Sequence, residues 1–83
     1  MSRYTHKINL EGKTLEVAYG YDRPLTEYFI QVFDTEIENE DDQMILWEGS
    51  RMTNLSNGEI LELFVKYGAH EDHQYALLMD LPF

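Results

Sequence analysis

The beginning of the chain alternates between apolar and polar positions. The alternation covers Tyr4–Leu10 and Thr14–Tyr19, and this two-residue period is typical of half-buried β-strands. Glu11-Gly12 lies between the two stretches and provides a tight turn, because glycine tolerates positive φ. We therefore predict a hairpin in which Ile8 faces Leu15, since this register puts both apolar faces on the same side of the sheet.

Two more strands and a helix are predicted further along. Thr26–Asp34 is apolar on both faces, as expected of a central or well-covered strand, and Gln43–Glu48 indicates a fourth strand. Ser56 and Glu59 then form a capping-box pattern, which predicts a helix from about Asn57 to Tyr67. Its apolar stripe contains Ile60, Leu61, Phe64 and Val65.

The tail from residue 70 to 81 fits two structures. Tyr75, Leu77, Met79 and Leu81 alternate, which suits a strand, whereas Ala76-Leu77-Leu78-Met79 are strong helix formers. Glu71 and Asp72 would occupy a first helical turn, and this favours a short second helix. The order of elements predicts one α+β domain over residues 1–83. Its antiparallel β-meander of about four strands would be followed by one or two C-terminal helices packed on one face.

Composition narrows the possible partners. The 83 residues carry 16 acidic and 6 basic side chains, a formal net charge of −10. This charge opposes direct binding to nucleic acid or anionic lipid, which need a basic footprint, and it would attract a protein partner with a basic surface. There are no cysteines, no secretory h-region and no apolar run long enough for a membrane span, so we expect a cytoplasmic protein. The sequence leaves the oligomeric state open.

The sequence contains few residues in the patterns that catalytic and metal-binding sites need. The serines do not lie in a G-x-S-x-G elbow, and no glycine-rich loop is present to cradle phosphate, so we expect neither an enzyme nor a cofactor. His70 and His73 would share a helix face, but a stable metal site needs further ligands. The acidic stretch lacks the internal glycine of an EF-hand loop, so no metal site is predicted there. His6 lies on the apolar face of the first strand and is expected to be half-buried and hydrogen-bonded.

The turn around Pro24 is the first candidate for partner binding. An exposed Tyr21 beside Asp22 and Arg23, held by Pro24, combines residue types that dominate interface hot spots. The alternative, which we favour, is a conformational turn in which Asp22 bonds its own backbone and Arg23 pairs with a nearby acid. Trp47 is the only tryptophan, and we expect it in the core rather than as an exposed anchor.

The acidic middle of the chain is the second candidate. Between Asp34 and Asp42 the density of carboxylates resists burial and predicts a solvated loop or frayed strand ends. Five of these acids are candidate partner-binding residues: Glu36, Glu38, Glu40, Asp41 and Asp42. Acids can simply keep a small protein soluble, but carboxylates fixed at phosphate-like spacings would mimic nucleic acid. A small protein-binding module is therefore our first functional expectation, and a mimic that blocks a nucleic-acid-binding protein is the alternative.

A resemblance to known sequences is carried by two strings. The chain resembles small uncharacterised bacterial proteins that carry Gly-Trp-Asp-Arg-Pro-Leu before an aromatic strand. The strings that resemble them are Val17-Ala18-Tyr19-Gly20-Tyr21-Asp22-Arg23-Pro24-Leu25 and Tyr28-Phe29-Ile30-Gln31-Val32. Here Tyr21 takes the place of that tryptophan. The resemblance implies a β-meander followed by helices and implies no activity. In composition alone, the chain is also similar to phage-encoded inhibitors of bacterial defence, which are short, acidic and poor in cysteine.

Overall fold

The computed structural model describes residues 2–83 and has an α+β architecture. Four strands form an antiparallel sheet in the order β1-β2-β3-β4, and helices α1 and α2 follow. The elements are β1 (Tyr4–Leu10), β2 (Lys13–Asp22), β3 (Glu27–Phe33), β4 (Met44–Gly49), α1 (Asn57–Lys66) and α2 (Glu71–Leu78). The predicted meander with C-terminal helices is confirmed.

The first hairpin has the predicted register. Ile8 pairs with Leu15, and the pairing continues along both strands to Leu10 and Lys13. Glu11 and Gly12 close the hairpin with φ values of 53° and 81°. Positive φ at both central positions is the geometry whose twist matches the twist of the flanking strands.

The second hairpin turns later than the sequence suggested. Strand β2 continues to Asp22, so the turn comprises residues 23–26, and the Thr26 amide donates to the Arg23 carbonyl at 3.1 Å. Strand β4 then pairs with β3 through a bulge, where Val32 pairs with Leu46 and Phe33 pairs with Met44. The extra residue is Ile45, which has no partner in the register of β3.

Both helices begin at side-chain caps. The Ser56 hydroxyl accepts from the Glu59 amide at 3.2 Å, and the Glu59 carboxylate accepts from the Ser56 amide at 3.3 Å. The predicted capping box is therefore confirmed. The tail forms α2, as favoured, and the His70 ring caps it by accepting from the Asp72 amide at 3.1 Å.

The helices cover one face of the sheet and form the core with it. Phe64, Ile60 and Leu77 are fully buried against the strand residues. The core residues of the strands are Leu15, Val17, Tyr19, Tyr28, Ile30 and Val32. The predicted stripe is wrong at Val65, which is 58% exposed. The buried side of α1 follows Ile60 and Phe64 to Tyr67, the residue that caps its end, and Val65 lies off this line.

Aromatic rings gather at one end of this core. Phe83, near the end of the chain, stacks on His73 at 4.7 Å between ring centroids and also approaches Phe64. The Tyr28 hydroxyl donates to the Leu81 carbonyl at 2.8 Å, so the C-terminal segment is held against the sheet. Half-buried His6 donates from Nε2 to the Tyr67 carbonyl at 2.9 Å, as the sequence predicted.

Candidate functional site

The face of the sheet opposite the helices carries an apolar groove of about 490 Å³. Strand register accounts for its position, because Thr5, Ala18, Gln31 and Trp47 form one row across the four strands. Side chains in alternate positions point to opposite faces, so this row lies away from the helices. The groove is lined by Arg3, Asp22, Leu25, Glu27, Phe29, Gln31, Trp47, Arg51 and Met52.

The Phe29 ring lines the groove, and small residues lie beside it on the same face. Ala18 is 1% exposed and Phe29 is 7% exposed, although both lie on the open face. Gly20 is required beside them, because a Cβ there would lie 2.0 Å from the Ser2 carbonyl oxygen.

The buried carboxylate of Glu27 fixes the turn after β4, which carries Arg51 and Met52 at the rim of the groove. Glu27 is 8% exposed and accepts hydrogen bonds from the amides of Arg51 and Met52, at 2.9 and 2.6 Å. Gly49 permits this approach, because a Cβ at that position would lie 2.9 Å from the Glu27 carboxyl carbon. The Ser50 hydroxyl accepts from the Tyr28 amide at 3.1 Å. The turn is thus bonded to β3 and cannot move away without unpairing a buried acid.

The rim of the groove is apolar and accessible. Leu25, Trp47 and Met52 are 52%, 51% and 46% exposed. The prediction that Trp47 lies in the core is wrong. Its size favoured burial, but Leu46 takes the inward position of β4 and the two-residue period turns the next side chain outward.

Two guanidinium groups flank these apolar side chains. Arg3 donates to the Gln31 side-chain carbonyl at 2.9 Å, which holds its aliphatic stem across the sheet. Within residues 2–83, Arg51 forms no ion pair with a carboxylate. Arginine stacks on aromatic faces and pairs with carboxylates, so the groove suits a flat apolar group with polar edges.

The candidate residues around Pro24 are divided by the sheet. Tyr21 belongs to β2 and is half-buried on the helix side, with its ring 4.9 Å from that of Tyr28. Asp22 lies on the other face and lines the groove. Arg23 begins the turn and is exposed. The structure therefore does not bring the three together as one patch, because neighbouring strand positions point to opposite faces.

The acidic segment is an ordered loop at the other end of β3. Asp34 is 4% exposed and lies 3.7 Å from the Lys13 ammonium, so the prediction of a wholly solvated stretch is wrong at this residue. Asn39 caps a short 3₁₀ helix, Glu40–Asp42, by accepting from the Asp41 amide at 3.1 Å. The five candidate carboxylates are all exposed: Glu36, Glu38, Glu40, Asp41 and Asp42.

The histidines near α2 are engaged within the protein. The Tyr19 hydroxyl accepts from the His70 amide at 3.1 Å and lies 2.6 Å from the His73 Nδ1. One hydroxyl therefore joins the backbone before α2 to the His73 ring. Burial lowers the pKa of His73, and the neighbouring His70 lowers it further. Burial also raises the pKa of the Tyr19 hydroxyl. This pair stabilises the fold at the aromatic end of the core.

The described residues offer no clustered metal ligands and no helix that could span a membrane. Residues 2–83 contain no group of three or more histidine, cysteine or acidic side chains placed to hold a metal ion. Neither described helix has the length and apolar character needed to cross a bilayer. The comparisons with known proteins found no matching family model, curated protein or solved structure.

Sequence reasoning missed the groove as a site. Its lining comes from β2, β3 and β4, from two turns and from Arg3 just before β1, so no contiguous motif marks it. One signal was present: in the predicted fourth strand, strict alternation places Leu46 and Trp47 on opposite faces. Taken together with the helices on the first face, that alternation would have indicated an exposed tryptophan.

Proposed function

We propose that this chain is a small acidic protein-binding module whose partner docks on the open face of the sheet. The observation that carries the proposal is the accessible apolar rim at Leu25, Trp47 and Met52 around the buried ring of Phe29. Tryptophan and arginine dominate binding energy at protein interfaces, and an anchored turn loses little entropy on binding. The groove is therefore the central contact, and the partner inserts an aromatic side chain into it.

The charge of the chain adds a condition on that partner. The net charge of −10 attracts a basic surface over long distances and accelerates its encounter. The rim arginines then contact the inserted ring at short range, through their stems and guanidinium faces. We infer a protein partner that presents an exposed aromatic residue within a basic surface.

The experiment compares variants of the full chain as bait in extract of the source organism, followed by affinity measurements on the captured protein. Trp47→Ser is the groove variant, and Val65→Ser is the matched control, since Val65 is 58% exposed on α1. We expect the groove variant to weaken binding more than about tenfold and the control to leave it unchanged. Equal binding by both variants would contradict the groove as the docking surface.

A nucleic-acid mimic is the second candidate, and the ordering of the acidic loop favours it. A mimic needs fixed carboxylates, and here the loop is held by the Asn39 cap, by Asp34 and by a 2.9 Å hydrogen bond from the Gln43 amide group to the Ile37 carbonyl. Its binding would depend strongly on salt, because exposed charges would carry the affinity.

One further variant separates the two candidates. It replaces four exposed acids with their amides: Glu36→Gln, Glu38→Gln, Glu40→Gln and Asp41→Asn. For a docking groove, we expect this variant to slow association and to change the dissociation constant less than about tenfold. For a mimic, it abolishes binding while Trp47→Ser leaves binding intact.

A further inference from the structure

The end of the groove beside the second hairpin carries two carboxylates on facing strands. Asp22 is the last residue of β2 and Glu27 is the first residue of β3, and the two are paired in the antiparallel register. Cβ atoms in such pairs lie about 5 Å apart, and like charges in these positions repel each other. Both side chains line the groove. The fold therefore holds two negative charges side by side at one end of the docking surface.

One oxygen of the Glu27 carboxylate is open to a ligand. The amides of Arg51 and Met52 both donate to Oε2, and within residues 2–83 no hydrogen bond reaches Oε1. The side chain is more than nine-tenths buried, yet the described residues contain no buried side-chain oxygen without a partner. Oε1 therefore belongs to the small accessible part of Glu27, which lines the groove. A carboxylate buried to this extent is stabilised when a donor pairs with its open oxygen.

Basic side chains of the described chain do not neutralise this pair. Within residues 2–83 the ion pairs lie elsewhere in the fold, at Lys13 and at His70. Arg3 also lines the groove, but it donates to Gln31, which lies about 13 Å from Glu27 along β3. Arg51 donates its backbone amide to Glu27, and its guanidinium pairs with neither carboxylate. The acidic end of the groove is thus left without a counterion from these residues.

We propose that Asp22 and Glu27 form a subsite for an arginine side chain of the partner, an assignment that rests on the docking groove proposed above. A planar guanidinium donates several N–H groups to carboxylates and also stacks on aromatic rings. The Phe29 ring lies in the same groove, two positions beyond Glu27 on the same face of β3. The subsite therefore combines the two surfaces that a guanidinium recognises, and a bound arginine relieves the repulsion between the facing acids.

This subsite specifies the segment that the partner presents. The apolar rim takes an aromatic side chain, and the acidic end of the groove takes the arginine. In an extended segment, residues two positions apart lie on one face at a separation of about 7 Å, which is also the spacing of Glu27 and Phe29 along β3. We therefore expect the recognised segment to be extended, with an aromatic residue and an arginine separated by one residue.

Titration of the full chain with defined peptides, followed by amide proton–nitrogen correlation spectra, tests the subsite. The probe is acetyl-tryptophanyl-glycyl-arginine amide, and its matched control carries citrulline, which has the shape of arginine without the charge. We expect the arginine peptide to shift resonances of the groove and to bind more than about tenfold more tightly than the control. Equal affinities overturn the subsite and leave the docking groove standing. Absence of binding by both peptides, up to about 10 mM, also overturns the subsite, whereas the Trp47→Ser comparison separately decides docking.

Two substitutions that remove the same charge separate the subsite from the net charge of the chain. Asp22→Asn should weaken binding of the arginine peptide more than about fivefold, whereas Glu62→Gln, at an exposed position of α1, should leave it unchanged. Asp22→Asn should also raise the urea midpoint of the free protein, because it removes one of two facing like charges. Unchanged affinity in this variant overturns the proposal. A lower midpoint does so too, since its own chain would then satisfy Asp22.

A peptide of opposite charge tests whether the arginines of the groove govern recognition instead. Arg3 and Arg51 would attract a carboxylate, whereas Asp22 and Glu27 would repel it. We expect the same peptide with glutamate in place of arginine to bind more weakly than the citrulline peptide. If the glutamate peptide binds more tightly than the arginine peptide, the groove recognises an anion, and the proposed subsite is overturned.

Discussion

The two faces of the sheet use the same strands for different purposes. On the covered face, Val17, Ile30 and Val32 are fully buried beneath α1 and α2. On the open face, alternate positions of the same strands combine small residues with a few large ones, and the result is a groove with an accessible rim. Both faces carry large apolar side chains, yet only the first is closed by the chain's own helices.

This difference shows which residues hold the fold and which are free to serve a partner. Burial of apolar area stabilises the folded state roughly in proportion to the area removed from water, so the covered face dominates stability. Rim side chains that stay half exposed contribute less, and a substitution there costs the fold little. We therefore expect stability to depend mainly on the covered face, and binding to depend mainly on the open one.

The largest expected effect is at the centre of the covered face. Phe64 is fully buried, with its ring 5.1 Å from that of Tyr19. Phe64→Ala should lower the free energy of unfolding by about 3–5 kcal/mol, a large part of the total for a domain of this size. Urea denaturation followed by circular dichroism measures the change. A loss below about 1 kcal/mol would mean that the helices do not close this face as tightly as the structure indicates.

Alkaline pH should lower the free energy of unfolding through Tyr28 on the covered face. Burial raises the pKa of Tyr28 to about 12, and the nearby Asp80 carboxylate contributes. Because the unfolded chain loses this proton near pH 10, the folded state binds more protons above that pH. The stability from the neutral hydroxyl is complete below pH 10 and falls by about 2–3 kcal/mol as the pH rises to 12.

Urea midpoints between pH 9 and 12 measure this loss, and Tyr28→Phe is the control. The variant should lose part of the pH dependence and keep a smaller slope, because burial also raises the pKa of Tyr19. Identical slopes for the variant and the wild type would contradict a buried, protonated Tyr28 in the folded state.

A smaller effect is expected where α1 begins. Ser56→Ala removes the acceptor for the Glu59 amide and should cost about 1 kcal/mol. Ser56→Asp keeps an N-cap acceptor and should stay within a few tenths of a kcal/mol of the wild type. Urea denaturation of both variants separates the cap from any other role of this position. Equal losses for alanine and aspartate would contradict the cap as the cause.

The covered face could be predicted from the sequence because its signals are local. Alternation fixed the register of the first hairpin, and Ser56 with Glu59 marked the start of α1. The open face could not be predicted in the same way. Its groove depends on the burial of the Glu27 carboxylate against a turn that is distant along the chain. That contact is tertiary, and no sequence window contains it.

The smallest loss of stability is expected at Trp47, and it is tested against the neighbouring residue of the same strand. Leu46 points toward the core and Trp47 points into the groove. Leu46→Ala should lower stability by about 2 kcal/mol, whereas Trp47→Ala should cost about 1 kcal/mol or less although it removes more atoms. Circular dichroism is the readout, because the second variant lacks the only tryptophan. If Trp47→Ala costs more than Leu46→Ala, the indole ring stabilises the fold itself, and the division between the two faces does not hold.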